Sequence, residues 1–189
     1  MVYDGTQGDK ALIHESLRHL AWSQINTHDP IMGDAQLRRA VSSAYYAVFH
    51  LLIFESCAFM FPGNDPTRSA LRSYASRSFS HSEMKTLCDV LSKRGNSVNA
   101  TMESLIPRLC ARVAPIARVP AAFVSLQKKR ARADYETYSP VTKGDAIDAI
   151  SLMNEAFESL YAAKTENTDD YAALMTVMMI AALKKPQGE

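Results

Sequence analysis

The sequence predicts an all-α protein, a single-domain bundle of about six helices. The stretch from Leu37 to Met60 contains no Gly or Pro, and its apolar residues recur every three or four positions, as on one face of a helix. Other segments repeat this spacing between turn-rich breaks, and no segment alternates apolar and polar residues as a strand does. A chain of 189 residues is long enough to bury a substantial core in one domain.

The stretch from Leu37 to Met60 is the element around which we expect the bundle to form. Its apolar side is broad, with Leu37, Ala40, Val41, Ala44, Tyr45, Tyr46, Val48, Phe49, His50, Leu51 and Leu52. A helix that is apolar on nearly every side packs in the middle of a bundle. Asp34 is the predicted N-cap, because it lies just ahead of the periodic run.

Two shorter helices are predicted on either side of this stretch. The first begins at the cap Asp9 and ends near Asn26, before a loop that contains Pro30. Its predicted buried face holds Leu12, Leu17, Leu20, Ala21 and Ile25. A turn-rich run from Phe61 to Pro66 precedes a third helix, which we expect Thr67 to cap. Its predicted packing residues are Ala70, Leu71, Tyr74 and Ala75.

The fourth predicted helix begins at a capping box. Ser80 and Glu83 have the required spacing, a hydroxyl followed three residues later by a carboxylate. Its apolar line is Met84, Leu87, Cys88 and Leu91, and Gly95 is placed to end it. Prolines interrupt the segment from Asn96 to Pro120, so we expect a loop there with one short helix.

The last third of the chain predicts three more helical segments. Pro120 suits the first turn of a helix that ends near Tyr135 and buries Ala122, Phe123 and Leu126. Thr142 and Asp145 cap the next helix. Its stripe is Ala146, Ala149, Ile150, Met153, Phe157 and Leu160. A Met-rich helix then begins near Asp169.

Composition points to a cytoplasmic protein without cofactors. The three cysteines are odd in number and form no C-x-x-C pair, so they read as reduced core residues. The first residues lack the basic start and apolar run of a signal peptide. The longest apolar run, Tyr171 to Leu183, is too short to span a bilayer. No His, Cys or carboxylate spacing predicts a metal site.

Charge is distributed unevenly along the chain. The segment from Pro66 to Arg132 carries thirteen Lys or Arg and three acids, a net of +10, whereas the remainder has eight bases and seventeen acids, a net of −9. Such polarity favours a basic face that binds RNA phosphates. The residues predicted to do so are Arg68, Arg72, Lys128 and Lys129. The alternative is that these charges are scattered over several faces and only keep the protein soluble.

Two elements of the sequence resemble the HEPN family (higher eukaryotes and prokaryotes nucleotide-binding). The first is the helix from Arg39 to His50, which reads RAVSSAYYAVFH, and the second is RARADY, from Arg130 to Tyr135. The resemblance covers the chain from about Leu12 to Tyr161. The resemblance implies an α-helical bundle and a metal-independent ribonuclease of toxin or defence type. It also implies a homodimer, and an antitoxin or nucleotidyltransferase as partner protein.

The candidate catalytic pair is Arg77 and His81. HEPN ribonucleases are described by an Arg and a His separated by four to six residues, and no pair here has that spacing. Arg77 and His81 remain the best pair on physical grounds, because a base for the 2′-hydroxyl and a cation for the phosphate are what metal-free RNA cleavage needs. If Ser80 caps the fourth helix, the helix dipole keeps His81 neutral. The alternative is a surface His with an Arg beside it.

Tyr46 and His50 lie four residues apart on one predicted helix, and Arg130 and Asp134 lie four apart on another. These residues form either a ligand or phosphate site, or a buried polar network that joins the two helices. The resemblance favours the network, because these positions match residues that define the family's fold.

Two functional hypotheses follow. One is an RNA-binding protein of HEPN-like fold, with metal-independent endoribonuclease activity. The other is a non-catalytic HEPN-like module that binds a nucleotide or a protein partner. We expect residues 1–168 to form the bundle and residues 169–189 to form a Met-rich helix, packed on the bundle or on the second subunit of a homodimer.

Overall fold

The computed structural model describes residues 12–26, 33–92 and 115–183, and all regular structure in these ranges is helical. The all-α class is therefore confirmed. Seven α-helices lie in the described ranges: α1 (Ile13–Ile25), α2 (Gly33–Met60), α3 (Pro66–Ser76), α4 (His81–Ser92), α5 (Arg118–Tyr135), α6 (Lys143–Glu166) and α7 (Thr168–Leu183). A single 3-10 turn, Pro115–Ala117, leads into α5.

Helix α2 is the centre of the bundle, as its broad apolar side predicts. It packs against α1, α3, α5, α6 and α7. Fifteen of its 28 residues are buried, and Ala44, Val48 and Leu51 expose no surface. Asp34 is not the N-cap, because α2 already begins at Gly33. Its carboxylate instead accepts a hydrogen bond from the backbone N–H of Val141 and so ties the start of α2 to the start of α6.

Within the described ranges, α2 is also the one helix long and apolar enough to cross a membrane. This property depends on length and composition alone. About two thirds (67%) of its most apolar window is buried inside the bundle, and the core helix of a globular protein has the same composition.

The buried face of α1 differs from the predicted one. Leu12 and Leu20 are exposed, whereas His14, Ala21 and Ile25 are buried. Leu12 precedes the first turn, and the packed stripe runs through positions 14, 21 and 25, which turns Leu20 outward. The predicted cap Asp9 lies outside the described residues.

Helix α3 is capped by Asp65 and not by Thr67. The Asp65 side chain accepts a hydrogen bond from the backbone N–H of Arg68, and Pro66 occupies the first helical position. Of the predicted packing residues only Ala75 is buried, and Leu71 and Tyr74 are exposed. The reason is that α3 packs on α2 along one edge, so an apolar spacing does not guarantee a covered face.

The capping box of α6 is confirmed, since Thr142 and Asp145 bond each other reciprocally. Ser80 is confirmed as the cap of α4, because its Oγ accepts a hydrogen bond from the backbone N–H of Glu83, but the Glu83 carboxylate accepts from Ser80 Oγ in place of the backbone N–H that a full box uses. The predicted apolar lines of α4, α5 and α6 are all buried. Gly95, Cys110 and nearly all of the segment Asn96–Pro120 lie outside the described residues.

The Met-rich helix α7 packs within the chain, against α2, α4 and α6. Met175, Met178 and Met179 each expose 2% of their surface or less. These methionines are therefore part of the core and do not form a free surface for a second subunit. The homodimer remains a prediction, and the Met-rich helix no longer supports it.

Candidate functional site

A polar ladder joins α2 to α5. Ser42 and Tyr46 lie one turn apart on α2, and Arg130 and Asp134 lie one turn apart on α5. Ser42 Oγ donates a hydrogen bond to Asp134, and Arg130 Nη2 donates to Tyr46 Oη at 3.1 Å. Arg130 Nε lies 2.6 Å from Asp134 Oδ2, but its N–H is not aimed at an acceptor. Charge attraction rather than a directed hydrogen bond therefore holds that pair.

His81 from α4 completes this cluster. Its Nδ1 lies 2.8 Å from Tyr45 Oη, and its ring stacks on Phe49 with the ring centroids 4.0 Å apart. The edge of Tyr46 is in contact as well, with a centroid distance of 5.6 Å. The cap at Ser80 starts α4 here, so local sequence places the imidazole against the aromatic side of α2.

Tyr45 determines which imidazole nitrogen carries the proton. Its ring is 1% exposed, and burial raises the pKa of its phenol, which therefore stays protonated. A buried O–H needs an acceptor, and in the described part of the chain that acceptor is His81 Nδ1. Neutral His81 then carries its hydrogen on Nε2, the ring nitrogen left for a ligand.

Desolvation of the ring and the nearby charge of Arg130 lower the pKa of His81, and His50 adds a smaller effect in the same direction. The imidazole is thus neutral at pH 7, with an N–H donor at Nε2. Since His81 lies at the surface, this donor is available to a ligand.

Arg130 is the cation of this site. Its guanidinium lies over three aromatic rings, at 5.9 Å from the centroid of Tyr45, 5.5 Å from Tyr46 and 5.3 Å from Tyr135. The side chain is 23% exposed. Its Nη2 donates to Tyr46 and the Tyr135 side chain is a second hydrogen-bond neighbour, which leaves other N–H groups of the guanidinium for a ligand. A guanidinium with unused donors beside an imidazole N–H is suited to an anionic oxygen group such as a phosphate.

The structure gives His81 a different arginine from the one that spacing predicted. Arg77 is the C-cap of α3 and is exposed, and its side chain forms no ion pair with any described residue. The turn between α3 and α4 separates Arg77 from His81, so the two do not lie one turn apart on a single helix. The charge that perturbs His81 belongs to Arg130.

The two arginines of α3 that are predicted to bind RNA form hydrogen bonds to the backbone of the turn between α2 and α3. Arg68 donates to the carbonyl of Pro62 and pairs with Asp65 at 2.9 Å. Arg72 Nη1 donates to the carbonyls of Phe61 and Gly63, which follow the end of α2. Both guanidiniums therefore close the α2–α3 connection.

The two predicted RNA-binding lysines of α5 differ. Lys129 lies 3.5 Å from Asp148 on α6, and Lys128 is exposed without an ion pair to the described residues. Acids of α6 pair with two arginines of α5 as well, Arg118 with Glu155 and Arg132 with Asp145. Much of the positive charge of α5 is thus locally balanced.

His50 is the predicted network residue that forms no hydrogen bond within the described ranges. It is half-buried beside Phe49, and burial lowers its pKa. Sequence reasoning missed Ser42 and Tyr45, which do form bonds in the cluster. The signal for Ser42 was its position one turn before Tyr46, on the face that meets Asp134.

A second polar cluster lies further along α2. The carboxylate of Glu55, 2% exposed, accepts hydrogen bonds from Lys164 Nζ at 2.7 Å and from Tyr171 Oη at 2.6 Å. Burial and the neighbouring Glu55 raise the pKa of Tyr171, which therefore stays a donor. The groups of this cluster satisfy one another.

The described ranges contain neither a metal-binding cluster nor a reactive thiol. These ranges contain no group of three His, Cys, Asp or Glu that could hold a metal ion. Cys57 and Cys88 are buried free thiols, and burial raises the pKa of Cys57 to about 11, so it is not a reactive thiolate.

Comparisons with protein-family models, with curated proteins and with solved structures found no significant match. The likeness to the HEPN family therefore depends on the two sequence elements alone. Those elements supply five of the cluster's six residues, Ser42, Tyr45, Tyr46, Arg130 and Asp134.

Proposed function

We propose that the protein is an RNA-binding protein of HEPN-like fold in which Arg130 and His81 hold a backbone phosphate. The observation that carries this proposal is the meeting of an aromatic-flanked guanidinium and a surface imidazole at one place between α2, α4 and α5. Arg130 brings a positive charge with donors to spare, and His81 brings a neutral N–H donor. A phosphodiester offers two anionic oxygens, one for each.

The site is formally neutral, because Arg130 carries +1, Asp134 carries −1 and His81 is uncharged. A phosphate is therefore held by the N–H donors of Arg130 and His81 and not by net charge. An RNA backbone presents one negative charge per phosphate, so each phosphate offers the anionic oxygens that these donors can bind.

The geometry favours binding over cleavage. A general base for the 2′-hydroxyl needs a free nitrogen lone pair, but Tyr45 holds His81 with a hydrogen on Nε2. In this neutral form the imidazole can donate a hydrogen bond to a phosphate oxygen, but it cannot accept a proton at Nε2 and cannot protonate a leaving 5′-oxygen, which requires the imidazolium. Metal-independent cleavage therefore requires a second group as base or a change of tautomer.

Binding is tested by fluorescence anisotropy with a labelled single-stranded RNA in EDTA over a range of salt concentrations. Arg130→Gln should weaken binding at least tenfold and lower the slope of log affinity against log salt by about one. The matched control is Arg118→Gln, which removes the same charge from the other end of α5 and should change affinity little. Salt-insensitive binding, or equal losses in both variants, would contradict the proposal.

Cleavage is tested separately with total RNA in EDTA. An active enzyme of the proposed type leaves 2′,3′-cyclic phosphate ends, and His81→Ala should abolish them. Binding without cleavage would retain the RNA-binding function and remove the ribonuclease.

The second hypothesis, a non-catalytic module that binds a protein partner, has one observation in its favour. Helix α3 exposes Leu71 and Tyr74, which lie one turn apart. If RNA does not bind even at low salt, this face is the place to test, and Leu71→Ser with Tyr74→Ser should then abolish partner capture.

A further inference from the structure

Tyr135 is an exposed aromatic ring next to the proposed phosphate site. It is the last residue of α5, directly after Asp134, and it is 70% exposed. The guanidinium of Arg130 lies 5.3 Å from its ring centroid. The contact covers one part of the ring, and most of its surface is open to solvent.

An aromatic ring in this position can take a nucleobase. Stacking of bases on aromatic side chains is the main way in which proteins bind single-stranded nucleic acid, and it tolerates any base. Arg130 contacts the ring of Tyr135 directly, and it shares the neighbours Tyr45 and Tyr46 with His81, so a phosphate at the guanidinium leaves its neighbouring nucleoside within reach of Tyr135.

We infer that the site selects single-stranded RNA, with one unpaired base stacked on Tyr135 beside the phosphate held by Arg130 and His81. The inference builds on the proposed function, because it assumes that the phosphate binds there. In a duplex the bases are paired and stacked on one another, so no base is available to stack on Tyr135. A site that reads phosphates alone would instead favour the duplex, which has the higher charge density.

The experiment compares three ligands of equal length by anisotropy at one salt concentration. They are a single-stranded RNA, the same RNA as a duplex, and a ribose-phosphate chain without bases. We expect the wild-type protein to bind the single strand about tenfold more tightly than either of the other two. Tyr135→Ala should remove this preference, and Tyr135→Phe should keep it.

Tyr138→Ala is the matched control, since Tyr138 is a fully exposed tyrosine three residues further along the chain. It should leave the preference intact. Equal binding of single-stranded and base-free chains, or an equal loss in Tyr138→Ala, would overturn the stacking inference. If Arg130→Gln weakens all three ligands in that case, the phosphate site stands without the stack. If Arg130→Gln has no effect on any ligand, the proposed function fails as well.

Discussion

Two polar clusters lie along α2, and they differ in how completely their groups are satisfied. The closed cluster comprises Glu55, Lys164 and Tyr171; the open cluster comprises Ser42, Tyr45, Tyr46, His81, Arg130 and Asp134. In the closed cluster the buried carboxylate takes both available donors. In the open cluster, Arg130 bonds Tyr46 and neighbours Tyr135 but has further N–H donors, and His81 Nε2 has no partner among the described residues. The same helix therefore carries one cluster built for stability and one with donors left for a ligand.

Depth within the bundle explains the difference. Glu55 lies between α2, α6 and α7 and is 2% exposed, so a missing partner there would be costly. Arg130 and His81 lie near the surface, where water can satisfy unused donors at little cost. Stability and function should consequently respond in opposite ways to substitutions in the two clusters.

The largest expected effect is on the closed cluster. Lys164→Met should lower the free energy of unfolding by about 2–3 kcal/mol, because it leaves the buried carboxylate of Glu55 without its cation, while Tyr171 still donates to it and Lys164 is itself 44% exposed. Urea denaturation measures this loss. Lys143→Met, at an exposed position of the same helix, should change stability by less than about 0.5 kcal/mol. If Lys164→Met is as stable as wild type, the closed cluster does not stabilise the fold.

A smaller effect is expected in the open cluster, where a substitution should lower stability and raise RNA affinity. Asp134→Ala should cost about 1–3 kcal/mol, because Ser42 loses its hydrogen-bond acceptor and Arg130 loses its ion-pair partner. The same change frees the charge of Arg130, so RNA affinity should rise. Glu136→Ala, at an exposed acid 3.9 Å from Arg132, should do neither. A loss of stability together with a loss of affinity would show that Asp134 serves the ligand directly.

The smallest expected effect is on acid stability. The pKa values of His14, His50 and His81 are all lowered, chiefly by burial. Each histidine is more readily protonated in the unfolded chain, so the stability it provides is present above pH 6.5 and is lost as pH falls below that value. His14 is 1% exposed, and its Nδ1 has no hydrogen-bond partner among the described residues. His14→Leu should therefore flatten the decline between pH 7 and pH 5, measured by urea denaturation. An unchanged slope would assign the acid sensitivity to the other two histidines.

The sequence predicts well whatever is local. The central position of α2 follows from its apolar period, and the caps at Ser80 and Thr142 follow from spacing across three residues. The pairing of Arg130 with Asp134 is likewise a property of one helix turn. In each case the interacting groups are close in the chain, so their spacing alone predicts the contact.

Contacts that depend on the packing of one helix against another are predicted poorly from the sequence. Arg77 was paired with His81 because the two are close in the chain, but the arginine beside His81 is Arg130, which is brought there by the packing of α4 and α5. Leu71 and Tyr74 have the spacing of a packed face, yet no described element covers them. Arg72 donates to a carbonyl in the turn after α2, and the path of that turn could not be predicted from the sequence.

The most direct test of this comparison is histidine NMR during titration with a short single-stranded RNA at pH 7. In the free protein the nitrogen shifts of His81 should report a hydrogen on Nε2. Bound phosphate should move the His81 signals and raise the pKa of its imidazole, because an anion stabilises the charged ring, while the signals of His14 beside the closed cluster stay in place. Signals of His81 that do not move at saturating RNA, or signals of His14 that move in their place, would contradict the assignment of the open cluster as the phosphate site.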